Sequence, residues 1–139
     1  MGASVVAYIV IDDNTPKDRP AFTNTPSVWS LENDLGLSGC KDYLFFAALG
    51  YRWSKEYPEP LIDLRGVCPA DLPEDVVYEL QDEDFVGWIT LEELLSLMER
   101  MGLHRASFSK SVTILLNVLQ AISTTVGKDR VLLQYYFLT

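Results

Sequence analysis

Histidine and cysteine are nearly absent: His104 is the one histidine, and Cys40 and Cys68 are the only cysteines in 139 residues. That excludes a histidine-rich metal site, and a Cys–Cys–His zinc set lacks its ligand spacing. The cysteines stand 28 positions apart with no CxxC pairing, so they form no disulfide framework and suit a reducing compartment. Long hydrophobic runs are missing too, and no stretch approaches the roughly 18 apolar residues of a membrane span. The apolar start, MGASVVAYIVIDDN, has no basic residues before it, and Asp12 and Asp13 follow at once. It reads as a strand, not a secretion signal. Gly2 lacks the Ser or Thr at position six that myristoylation wants. These absences predict a cytoplasmic protein.

Basic residues are few: 11 Lys and Arg stand against 20 Asp and Glu, a net charge of −9. A field of that sign repels phosphate backbones, so direct nucleic-acid binding is not expected, whereas a basic protein surface suits it. Apolar residues make up 48% of the chain, enough for one folded domain over residues 1–139.

Residues 3–11 and 131–138 are short, β-branched or aromatic and apolar on both faces, as central strands are. Residues 12–27 carry three prolines and read as a surface loop. The segment 42–50, DYLFFAALG, reads as a helix buried all round, with Gly50 as its C-cap. Residues 54–73 hold four more prolines and read as an irregular connection of a length that often carries function. Asp71 is expected to cap a short helix from Pro73 to about Leu80. Thr90 opens another, with Leu91, Leu94, Leu95, Met98 and Met101 on one face and Gly102 at its end. A last helix runs from Ser107 or Ser109 to about Thr124, with Val112, Leu115, Leu116, Leu119 and Ile122 as its apolar stripe. The fold class is α+β: a small sheet containing both the N- and C-terminal strands, packed by three to four helices.

Chemistry-bearing patterns are few. Residues 82–93, DEDFVGWITLEE, place Asp82, Asp84, Gly87, Ile89 and Glu93 at EF-hand positions 1, 3, 6, 8 and 12, but Val86 has no ligand oxygen at position 5. A capping box, Thr90 with Glu93, explains much of the same segment and is preferred. Gly36-Leu-Ser-Gly39-Cys-Lys41 lacks phosphate-loop spacing. His104, beside Gly102 at a helix end, suits a capping role. No catalytic residue, metal site or cofactor is nominated.

The strongest feature is charge. Between 71 and 93 there are nine acidic residues and no Lys or Arg, so this segment accounts for the whole net charge. Glu74, Asp75, Glu79, Asp82, Glu83 and Asp84 are the candidate contacts for a basic partner; a merely solvated face is the plainer reading. The alternative is a small-ligand or enzyme pocket at the 51–73 connection, using Arg52, Arg65, Trp53 and Trp88. A turn with a surface arginine is the plainer reading of Arg65-Gly66.

From Lys41 onward, the runs Lys41-Asp42-Tyr43, Gly50 with Arg52, Arg65-Gly66-Val67 with Pro69, Trp88-Ile89-Thr90-Leu91-Glu92-Glu93-Leu94 and the closing apolar strand make the chain resemble a family of small, uncharacterised bacteriophage and prophage proteins. A Gly-His-Ser-His-Ser run common before the tryptophan in that family is replaced here by residues 82–87. The resemblance implies a phage setting, hence the bacterial host cytoplasm, and no mechanism. The function expected is a small, non-enzymatic, phage-encoded factor that binds and modulates a host or phage protein, for example an inhibitor of a bacterial defence system.

Overall fold

The structure, a computed structural model, describes residues 4–37, 42–51 and 62–138. Four strands form one antiparallel sheet: β1 (Ser4–Ile11), β2 (Ser27–Ser30), β3 (Val86–Thr90) and β4 (Val131–Leu138), in the order β2-β1-β4-β3. The two terminal strands lie side by side, in register from Ser4↔Leu138 to Ile11↔Val131. This is the α+β sheet that the double-faced apolar pattern of both segments implies.

Four helices, α1 (Tyr43–Ala48), α2 (Glu74–Gln81), α3 (Leu91–Met101) and α4 (Lys110–Val126), accompany the sheet. One sheet face carries Ala7, Ile9, Ile89, Leu133, Tyr135 and Phe137, covered by apolar residues of α1, α3 and α4. The other carries Val10, Val86, Leu132 and Tyr136, covered by Cys68, Leu72 and the Val76–Leu80 side of α2. With helices on both faces, every residue of β4 from Val131 to Phe137 is buried.

Helix ends follow local chemistry. Asp42 caps α1, accepting from the amides of Leu44 and Phe45 at 3.1 and 3.2 Å. Leu49 is its C-cap, and Gly50 comes one place later with a φ of 99°; a Cβ there would meet the Ile62 carbonyl at 2.6 Å. Thr90 and Glu93 form the expected capping box, and Gly102 closes α3 in the left-handed region. Ser109 caps α4. A 3-10 turn, Arg105–Ser107, precedes that helix, and His104 starts it through its backbone: the His104 amide donates to Ser107 Oγ at 3.1 Å.

Three expectations are corrected: Gly50 as the C-cap of α1, where Leu49 stands, Asp71 as the cap of α2, and the loop's extent to Ser27. Asp71 does not cap α2; Pro73 holds the N-cap position with no side-chain bond to the helix. The Asp71 carboxylate instead accepts from Thr25 Oγ1 at 3.4 Å. Ser27 is not loop but the first residue of β2, whose four residues pair with β1. Residues 86–90, given no element of their own from the sequence, form a strand. Gly87, at the EF-hand glycine position, lies opposite Tyr135 in β4. A Cβ on Gly87 would stand 2.9 Å from the Tyr135 ring. This glycine makes room for an aromatic side chain on the neighbouring strand.

The 12–26 loop is ordered by a buried ion pair. Arg130 Nη1 donates to Asp12 Oδ2 at 3.1 Å, and the two side chains are 9% and 0% exposed. The same guanidinium donates to the carbonyls of Thr15, Pro16 and Arg19. Asp12 also accepts from the amides of Thr15 and Phe22 at 3.1 and 2.6 Å. A buried pair persists only when its remaining polar capacity is met in this way.

Candidate partner-binding surface

Helix α2 positions most of the acidic candidates. Val76 and Leu80, four apart, face the sheet, so the opposite side of the helix faces water. Glu74 and Asp75 stand exposed in its first turn, where carboxylates complement the helix dipole. Asp82 and Asp84 are exposed beyond its end, and Glu83 is half-buried.

Glu79 differs from the others. Its Oε1 accepts from the Tyr136 hydroxyl at 2.6 Å, and its Oε2 accepts from the Tyr8 hydroxyl. Tyr8 and Tyr136 come from the central strands β1 and β4, so this carboxylate fastens α2 to the sheet. Burial, then the Glu79 hydrogen bond and charge, raise both phenols well above the ordinary tyrosine range. Asp75 adds to the effect at Tyr8, as Glu83 does at Tyr136. Glu79 therefore belongs to the scaffold beneath the surface and not to its outer face.

Tyr78 occupies the outer face and is 72% exposed. Helical spacing puts Glu74 and Asp75 one turn before it and Gln81 and Asp82 one turn after. An exposed aromatic among carboxylates escaped the charge count, although its position opposite Val76 and Leu80 is readable from the helical period.

The alternative ligand set divides. Arg65 and Trp88 do come together, with the guanidinium 3.8 Å from the indole centroid. They are engaged with each other and with Glu93. Arg65 Nε and Nη2 donate to the Trp88 carbonyl at 3.1 and 2.6 Å, and Nη1 and Nη2 donate to the Glu93 carboxylate at 3.0 and 2.9 Å. The Arg65 hydrogen bonds, outweighing burial, hold the Glu93 carboxyl below its usual range. So Glu93, the would-be twelfth calcium ligand, is committed to an arginine and a helix cap. Arg52 and Trp53 lie outside the described residues. An open groove of about 460 Å³, lined in part by Ile62, Thr90, Ser96 and Arg100, lies beside Glu93.

Both outer edges of the sheet are partly occupied. On β3 the Val86 carbonyl accepts the Gly66 amide at 2.9 Å, and the Trp88 carbonyl takes the Arg65 guanidinium. On β2 the Ser30 amide donates to the Asp34 carboxylate at 2.7 Å. The 66–68 turn is held inward by Gln134, which accepts from the Cys68 amide and donates to the carbonyls of Gly66 and Gly87.

Among the described residues, no group of three or more His, Cys, Asp or Glu side chains is placed to hold a metal ion. Nor is any described helix long and apolar enough to cross a membrane. Comparison with protein-family models, curated proteins and solved structures found no match.

Proposed function

We infer that this chain is a small, non-enzymatic protein-binding factor of bacteriophage origin that docks on a basic surface of a host or phage protein and modulates it. Inhibition of a bacterial defence or housekeeping factor is the concrete form. The observation that carries the reading is Tyr78, 72% exposed on the outer face of α2, among Glu74, Asp75 and Asp82. Tyrosine is enriched among residues that dominate binding energy, and surrounding charges chiefly steer and orient the encounter. An interface so built associates faster at low salt. Direct nucleic-acid binding is disfavoured by the same field.

Capture from bacterial lysate at low and high salt, with mass spectrometry, is the test. One dominant partner is expected, retained at low salt and lost at high salt. Tyr78→Ala, and separately the triple reversal of Glu74, Asp75 and Asp82 to Lys, should abolish capture. Glu79 is left out of that reversal because its carboxylate holds α2 in place. Capture unchanged by both variants would remove α2 from the function. A small-ligand reading is supported by the groove beside Glu93 and would show as a thermal shift. Ligand at about 100-fold over its dissociation constant adds roughly 2.7 kcal/mol.

A further inference from the structure

A second feature lies away from α2, on the sheet face covered by α4. A groove of about 400 Å³ runs between the β2 side of the sheet and the C-terminal half of α4. Its lining is apolar at Ile11, Ala121, Ile122 and Val126, and carries Trp29 and Asp13. Trp29 is 40% exposed.

The placement of the tryptophan and the carboxylate follows from strand geometry. Ser27 and Trp29 are two apart on β2, so their side chains share a face about 6.7 Å apart. The register sets them opposite Ile11 and Ile9, both in the core beneath α4. Ser27 Oγ donates to the Asp13 carboxylate, at 3.0 Å from each oxygen. That bond holds the carboxylate beside Ser27, one strand repeat from the indole.

At the other edge of the sheet the protein shows what such a pair does. Trp88 and Glu93 hold the Arg65 guanidinium, one by its ring face and the other through two hydrogen bonds. At Trp29 and Asp13, no described lysine or arginine fills the corresponding place.

The geometry points to a guanidinium site: the groove accepts an arginine side chain of a partner protein. The methylene stem lies along Ile11, Ile122 and Val126, as long cationic side chains do on apolar surface. The guanidinium stacks on Trp29 and pairs with Asp13. Arginine fits better than lysine because its charge is planar and forked, able to stack and to pair at once. The net charge of −9 favours the same partner sign. This site is separate from the α2 face and does not depend on it.

The test titrates N-acetyl-arginine methylamide into the full chain and follows the Trp29 indole N–H by NMR. The citrulline analogue, of the same shape without the charge, and the lysine analogue run in parallel. A saturable Trp29 shift with arginine is expected, weaker by about five- to tenfold with citrulline and with lysine. Asp13→Asn should weaken it similarly, and Trp29→Leu, followed through the Ile122 methyls of the same groove because it lacks the indole, should weaken the arginine response there, with circular dichroism and Tm unchanged. If Trp29→Leu loosens the sheet edge, Asp13→Asn decides alone. Equal shifts with arginine and citrulline, equal shifts with arginine and lysine, no Trp29 shift, or full binding by Asp13→Asn would each overturn the proposal.

Discussion

At the scale of single residues, the same side-chain type does opposite work according to what lies beneath it. Glu79 and Asp82 are both acidic and three apart, yet one is bonded to two tyrosines and the other is in water. Glu79→Ala should therefore destabilise the fold by about 1–3 kcal/mol by orphaning two phenols, whereas Asp82→Ala should stay within about 0.5 kcal/mol; chemical denaturation compares them. Gly87→Ala should cost about 1–3 kcal/mol, because the new methyl meets the Tyr135 ring. Phenol titration followed by ultraviolet absorbance offers a third check. Tyr8, Tyr135 and Tyr136, three of the seven tyrosines, are raised, chiefly by burial. A raised phenol contributes stability fully below its unfolded value near ~10 and loses it as pH climbs towards the folded value. These three should titrate above the ordinary phenol range. Carboxylates run the other way. At Asp12 burial raises the pKa, but the bonds from Phe22 and Thr15 and the Arg130 charge outweigh it, so the net shift is downward. Its contribution is present above about 3.9, the unfolded value, and fades as pH falls through the lower folded one. Asp12→Asn should cost about 3–5 kcal/mol at neutral pH by stranding Arg130, and should flatten the acid limb of the stability curve.

At the scale of elements, sequence legibility followed the number of local signals that agreed. Helix α3 was readable from both ends, because Thr90, Glu93 and Gly102 cap a stripe of correct period. In α4, Ser109 and the Val112–Leu115–Leu116–Leu119 stripe did the same. Strands β1 and β4 were readable because a segment covered on both faces is apolar at nearly every position, with Gln134 the buried exception in β4. The short edge strands were not. Residues 27–30 follow a proline-rich loop, and residues 86–90 contain a glycine inside an acidic stretch that mimics a calcium loop. Both owe their state to a neighbouring strand, which local preference cannot report. Asp71 was misplaced as a cap because Pro73 supplies an extended residue directly before α2. The candidate surface was half legible: charge along 71–93 was plain, but the separation of Glu79 and Glu93 from the outward-facing acids needed their distant partners Tyr8, Tyr136 and Arg65. Helix α2 is fastened largely by one carboxylate and two apolar side chains. Hydrogen exchange should therefore show its amides opening before those of α4, and Glu79→Gln should widen that gap.

At the scale of the molecule, charge and sheet order set the behaviour. Both outer strands have some of their edge groups taken, by Arg65 and Gly66 on one side and Asp34 on the other, which hinders strand addition along them. The sheet order has another effect, visible only in time. Of the described elements, β4 leaves the ribosome last, yet it lies between β1 and β3 and pairs with both along their lengths. Until it emerges, β1 and β3 have no central partner. The complete four-stranded sheet therefore waits for this strand, although β1 can already pair with β2. A chain stalled before residue 131 offers two apolar strand edges to whatever chaperone or aggregate is nearest.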